Sequence, residues 1–169
     1  MSYDQHQRDA AGSSVGCAVV TLSDTRTAET DASGAAIQKL ATEAGHRVVD
    51  YRIIKDEPAD LEKALAALLA RADVDAILTN GGTGISRRDQ TIDVVSRRIE
   101  IPLPGFGELF RMLSWQQIGS GAMLSRAVGG ICRGKLIFAM PGSTKAVELA
   151  MSKLILPELG HLVREINKC

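Results

Sequence analysis

The chain opens on a polar dozen residues, MSYDQHQRDAAG, and then turns apolar. Residues 15–23 (VGCAVVTLS) form a near-continuous hydrophobic run, the pattern of a strand buried on both faces. The stretch DTRTAETDASG reads as loop. Ile37, Leu40, Ala41 and Ala44 then recur at helical spacing, with Gly45 as a C-terminal stop. Residues 46–55 (HRVVDYRIIK) are β-branched but more polar, which suits an edge strand. Leu61, Ala64, Leu65, Leu68, Leu69 and Ala72 draw one side of a second helix. Residues 76–80 read as a short buried strand, 91–99 as a helix, IPLPGFG as a turn region and 108–117 as another helix. Residues 129–134 are a turn or short strand, and 135–140 (KLIFAM) a further buried strand. Val147, Ala150, Met151 and Leu154 stripe a helix that Pro157 ends or kinks, and a short helix near 159–166 follows.

Strands alternating with helices over short connections predict a three-layer α/β/α sandwich around a mostly parallel sheet. No repeat or low-complexity linker interrupts the pattern. The expected organisation is a flexible tail over residues 1–14 and a single domain over 15–169.

Composition narrows the function. Lys plus Arg number 20 and Asp plus Glu number 20, so bulk electrostatics do not hold this protein to nucleic acid or membrane. Any phosphate binding must be local. Cys17, Cys132 and Cys169 are too scattered for a disulfide framework or a zinc-ligand spacing, and Cys17 reads as a buried small hydrophobe. His6, His46 and His161 are equally dispersed and read as loop and surface residues. With no apolar leader and no spanning stretch, the expected location is the cytoplasm.

In open α/β sheets ligands sit beyond the carboxyl ends of the strands. Here those ends lead into Ser23-Asp24-Thr25, Asp56-Glu57, Gly81-Gly82-Thr83-Gly84 and Pro141-Gly142-Ser143-Thr144. Glycines in the second half of TNGG and in TGIS let backbone N–H groups approach an anion, and the helix from Thr91 aims its positive end at the same place. Arg87 and Arg88 add charge. A tight strand-to-helix turn has the same composition, but its position after a buried strand favours an anion cradle. Neither GxxxxGK[ST] nor GxGxxG is present, which disfavours a P-loop enzyme and a dinucleotide oxidoreductase. Asp56 and Asp89 each read alone as a helix cap. As a pair on the ligand face they suit Mg²⁺ shared with a triphosphate. PGSTK forms a second anion cradle, and Ser125 with Arg126 is a hydroxyl–guanidinium pair suited to a phosphate oxygen. The bulk of Phe106, Leu109, Phe110, Met112, Leu113 and Trp115 suits core packing and also a subunit interface.

TNGGTGISRRDQT, PGFGELFRMLSWQQIGSGAMLSRAVGG and IFAMPGSTKAV together resemble the MoaB/MogA family of molybdenum cofactor biosynthesis proteins, which includes the gephyrin and plant Cnx G domains. The resemblance runs from about Val15 to Leu162, and GFGELFRML and LILPELGH look most like the bacterial MoaB branch. It implies a trimer or hexamer, with other enzymes of the pathway as further partners. The implied reaction is transfer of AMP from Mg-ATP to the terminal phosphate of molybdopterin, releasing pyrophosphate. By motif, Asp56 and Asp89 take the metal and catalytic roles. Gly81, Gly82, Thr83, Gly84, Arg88, Pro141, Gly142 and Ser143 line the nucleotide, and Ser23, Thr91, Ser125 and Arg126 the pterin. Family enzymes commonly read RDxTPEA. Here Ile92 and Asp93 replace the proline and glutamate, and the helix is still expected to start. A member that kept the fold without the chemistry would serve as a pterin-binding or scaffold protein; retention of Asp89 favours the enzyme.

Overall fold

The structure, a computed structural model, describes residues 12–168. Most of the segment expected as a tail, and Cys169, therefore lie outside the described residues. Six strands form one sheet in the order β2-β1-β3-β6-β5-β4. They are β1 (Gly16–Leu22), β2 (Arg47–Ile54), β3 (Ala76–Asn80), β4 (Ile101–Pro102), β5 (Val128–Cys132) and β6 (Lys135–Met140). Strands β2, β1, β3 and β6 run parallel, whereas β5 and β4 join antiparallel at one edge. The helices are α1 (Ala32–Glu43), α2 (Pro58–Leu69), α3 (Thr91–Arg98), α4 (Pro104–Ile118), α5 (Thr144–Ala150) and α6 (Leu156–Ile166). This is the expected α/β sandwich.

Alternation along the central strands sorts side chains into two cores. Cys17, Val19, Leu78, Leu136, Phe138 and Met140 meet Ile37 of α1, Phe106 and Phe110 of α4, and Val147 of α5 on one face. Ala18, Val20, Leu22, Ile77, Ile137 and Ala139 meet Leu61, Leu65 and Leu68 of α2 and Val94 and Val95 of α3 on the other. Each fully buried large side chain is worth about 1.5–3 kcal/mol, so both layers are fixed to the sheet by burial alone. Cys17 is fully buried, and that burial pushes its thiol up to about 12. His46 accepts the Val15 N–H and His161 sits half-buried on α6 near Glu158, so neither is a plain surface residue.

Three segments refine the sequence expectation. IPLPGFG is not only a turn: Ile101 and Pro102 pair with β5, and α4 begins at Pro104. Proline fits the first turn of a helix because its missing N–H would be unpaired there. The segment 129–134, read as a turn or short strand, is both: residues 129–132 belong to β5, and Arg133 and Gly134, both at positive φ as a two-residue hairpin requires, close it onto β6. At Pro157 the helix continues but changes type. A π-helical turn over 151–155 carries α5 into α6, and Pro157, which has no N–H to donate to the preceding turn, sits just where the π-turn gives way to α-helix. Among the described residues no helix is long and apolar enough to cross a membrane.

Candidate active site

The carboxyl ends of β1, β3 and β6 open onto one cleft of about 500 Å³. Its walls include Ser23, Arg26, the loop Gly81–Gly84, Asp89, Ser125, Pro141 and Gly142. Ser125 and Pro141 also line an adjoining groove of about 630 Å³ between α4 and α5, which Ser143 faces. Asp56, Arg88 and Thr91 lie in a narrow crevice on the other side of the glycine loop.

The loop is shaped by what presses on it. Gly82 has φ +63°, and a Cβ there would stand 2.3 Å from Thr91 Oγ1 and 2.4 Å from Asp56 Oδ1. A Cβ on Gly84 would stand 2.6 Å from Asp89 Oδ2. At Gly82 the positive φ favours glycine, and at Gly84 a Cβ would displace the Asp89 carboxylate. Both aspartates thus abut the four-residue loop, Asp56 from the crevice and Asp89 from the cleft.

Neither aspartate is a helix cap. The α2 N-cap is Glu57 and the α3 N-cap is Gln90, and neither makes a side-chain cap bond. The Asp89 carboxylate instead accepts the Ser86 N–H at 2.9 Å and closes the loop. Among the described residues the Asp56 carboxylate accepts no hydrogen bond; its own N–H donates to Asp24 Oδ1 at 3.1 Å. Thr91 is buried, and its Oγ1, beside Gly82 and Asp56, has no hydrogen-bond partner. Such an orphan buried hydroxyl is uncommon.

These surroundings push the two carboxyls apart. Burial raises Asp56 above the usual carboxylate range, and the charges of Asp89 and Asp24 add to it while Arg88 opposes. Hydrogen bonding from Ser86, joined by the backbone N–H of Gly84, holds Asp89 below that range against its burial. Opposed shifts in neighbouring acids suit two different roles at one site.

The basic residues are less free than their sequence suggests. Arg88 pairs with Asp24 at 2.8 Å and Glu57 at 3.2 Å on the exposed rim. Arg126 donates to the carbonyls of Gly84 (3.0 Å) and Asp89 (3.4 Å) and pairs with Asp93, bracing the glycine loop from outside. Ser143 caps α5 by accepting the Ala146 N–H, and Ser23 Oγ accepts the N–H groups of Thr25 and Arg26.

Sequence reasoning placed Asp24 at a strand end without giving it a role, and passed over Arg26 and Asp31 in the stretch read as loop. Asp31 had a legible signal, since Asp-Ala-Ser-Gly ahead of a helical stripe is an N-cap pattern. Its side chain accepts the Gly34 N–H and the hydroxyls of Ser33 and Tyr51, the last at 2.8 Å. Burial and the Asp31 bond push Tyr51 up to about 12. Arg26 had no signal beyond its charge.

The family described as "Probable molybdopterin binding domain" matches residues 18–161. The chain belongs to the MoaB/MogA family of molybdenum cofactor biosynthesis proteins. Molybdenum cofactor biosynthesis protein B of Halalkalibacterium halodurans is 52% identical over 169 residues, 99% of each chain. A crystal structure of a molybdenum cofactor biosynthesis protein B superposes with TM-score 0.90 at 54% identity, covering 92% of this chain and 98% of that one. The tungsten cofactor synthesizing protein MoaB from Pyrococcus furiosus superposes with TM-score 0.82 at 32% identity, covering 92% and 98%. The MoaB/MogA likeness thus spans the whole strand-end rim, from Ser23 to Ser143.

Proposed function

We propose that this protein acts in molybdenum cofactor biosynthesis by transferring AMP from Mg-ATP to the terminal phosphate of molybdopterin, releasing pyrophosphate. The observation that carries the reading is that Asp56 and Asp89 are released from helix capping and abut a glycine loop at the strand ends. Two carboxylates and a hydroxyl are hard oxygen donors, which fits Mg²⁺. Among the described residues no group of three or more ligating side chains comes together. That also fits Mg²⁺, which completes its shell with water and substrate phosphates.

Asp56 and Asp89 would hold the ion, whose chemistry is to neutralise the triphosphate and the departing pyrophosphate. Backbone N–H groups of Gly81–Gly84 would hold phosphate oxygens, and Arg126 keeps that loop in place. A phosphate oxygen of the pterin bonds to the α-phosphorus as the α–β anhydride bond breaks, so no covalent enzyme intermediate is needed. Positioning and charge stabilisation supply the rate. Ser23, Ser125 and the groove towards Ser143 would take the pterin side. Thr91, assigned to the pterin by resemblance, faces Asp56 instead and is proposed to support the metal. We further propose that the chain works as a homo-oligomer, trimeric or hexameric.

Incubation with molybdopterin, ATP and Mg²⁺ tests this. Wild type is expected to yield adenylylated pterin and pyrophosphate, and Asp89→Ala to lose about a hundredfold or more in turnover while still binding the pterin. Pterin binding without AMP transfer by the wild type would make this a non-catalytic binding or scaffold protein.

A further inference from the structure

The residues that line the cleft include one cation, Arg26. Arg88 and Arg126 are committed elsewhere, to Asp24 and Glu57 and to the back of the glycine loop. Arg26 is differently placed. Its Nη2 donates to the Gly142 carbonyl at 2.9 Å, and its Nη1 to Ser33 Oγ at 2.5 Å and Asp31 Oδ1 at 3.3 Å. Asp31 is fully buried behind it, whereas the Arg26 side chain keeps 32% of its surface exposed.

The anchor extends through the sheet ends. Ser33 donates to Asn80 Oδ1 at the end of β3, and Asn80 donates to Thr21 Oγ1 on β1. Tyr51 on β2 donates to Asp31 from the far side. Arg26 is therefore fixed by a buried hydrogen-bonded chain that touches β1, β2, β3 and the turn after β6. A guanidinium has five N–H donors. Among the described residues, Nε and the second hydrogen of Nη2 have no protein partner.

We propose that Arg26 is the phosphate-binding cation of this cleft, a fixed guanidinium that receives a phosphate oxyanion between the Gly81–Gly84 loop and the Pro141–Ser143 turn. The inference rests on reading the cleft as a phosphate site, though not on AMP transfer itself. A pre-positioned guanidinium loses little freedom on binding and presents paired donors that match a phosphate edge. In the buried network behind it every side-chain nitrogen and oxygen has a partner, with the one Ser33 hydroxyl proton shared between Asp31 and Asn80, and such a network holds a side chain in one place. Two sources carry the oxyanion: the nucleotide's triphosphate and the pterin's phosphate.

The test measures dissociation constants of inorganic pyrophosphate, ATP with Mg²⁺, and molybdopterin for wild type, Arg26→Gln, Arg26→Lys and Tyr51→Phe, alongside melting temperature and far-UV circular dichroism. Arg26→Gln is expected to lose about tenfold or more in affinity for at least one probe, and Arg26→Lys to recover part of it. Loss confined to pyrophosphate and ATP assigns Arg26 to the nucleotide; loss confined to molybdopterin assigns it to the pterin phosphate. Tyr51→Phe loosens the same network away from the cleft and should change affinity less than about twofold. If it loses as much as Arg26→Gln, Arg26 acts only as scaffold and the proposal fails. It fails equally if Arg26→Gln and Arg26→Lys bind every probe as wild type does, or if wild type binds none. Retained Arg26 dependence without adenylylation by the wild type would overturn the transferase reading and leave this one standing.

Discussion

Asp56 and Asp89 border the same short loop, yet only Asp89 receives hydrogen bonds as a reward for its charge. Asp56 is half-buried with acidic neighbours, so its ionised form destabilises the fold without a ligand. A raised folded-state pKa gives stability that is complete below the ordinary carboxylate pKa and lost as pH rises through the folded value. Asp56→Asn should therefore raise the melting temperature of the ligand-free protein by roughly 1–2 °C at pH 7, a figure reduced for solvent screening. The gain should vanish below about pH 4, where the carboxyl is protonated in both states. Mg-ATP should reverse the order, stabilising wild type and not the variant. A wild-type advantage at pH 7 without ligand would show that Asp56 has a structural partner after all.

At the scale of elements, α1 gives the opposite sign. Asp31 caps it, fully buried, and burial alone would raise its carboxyl. Hydrogen bonds from Thr21, the Gly34 N–H, Tyr51 and Ser33 outweigh that and hold it below its usual range. A depressed folded pKa contributes stability above the unfolded value that disappears as pH falls through the folded one. Asp31→Ala should cost about 3–5 kcal/mol at pH 7, from the lost cap and from an Arg26 left without its buried partner. Urea unfolding across pH would measure this, and the gap between the two proteins should narrow towards acid pH. A pH-independent gap would mean that Asp31 acts by shape rather than by charge. The same element shows where the sequence was opaque. Ile37 and Ala41 announced the helix, but the cap signal of Asp31 at its first turn lies in a polar stretch that reads equally as loop, because capping residues are also turn residues. Strand β5 was only half legible: two of its five residues are glycines, Gly129 against Phe106 and Phe138 and Gly130 against Ile99, so no alternation was visible.

For the whole molecule, the central strands and the layers were legible because continuous apolar runs and helical stripes encode burial directly. The strand ends followed from them, and so did the loops that line the cleft. What could not be read was which polar groups meet there. Arg88 and Arg126 looked free and are tied down, while Arg26 looked incidental and faces the cleft, because pairing across 31 or more residues leaves no local signal. One surface also has no explanation within a single chain. Leu109, Met112, Trp115, Ile118, Met123 and Leu124 are 47–81% exposed, and all belong to α4 and the 3₁₀ turn after it. Six large apolar side chains on one short segment exceed the scattered exposure normal for a monomer. Burying one such side chain is worth about 1.5–3 kcal/mol. Two charges introduced at its centre should therefore outweigh a subunit contact without touching either core, since Met112 and Trp115 both point to solvent. Met112→Glu with Trp115→Glu is expected to reduce the mass measured by light scattering from that of a trimer or hexamer to that of a smaller species, with the circular dichroism spectrum retained. An unchanged mass would move the subunit contact away from α4 and leave its apolar surface for a different partner.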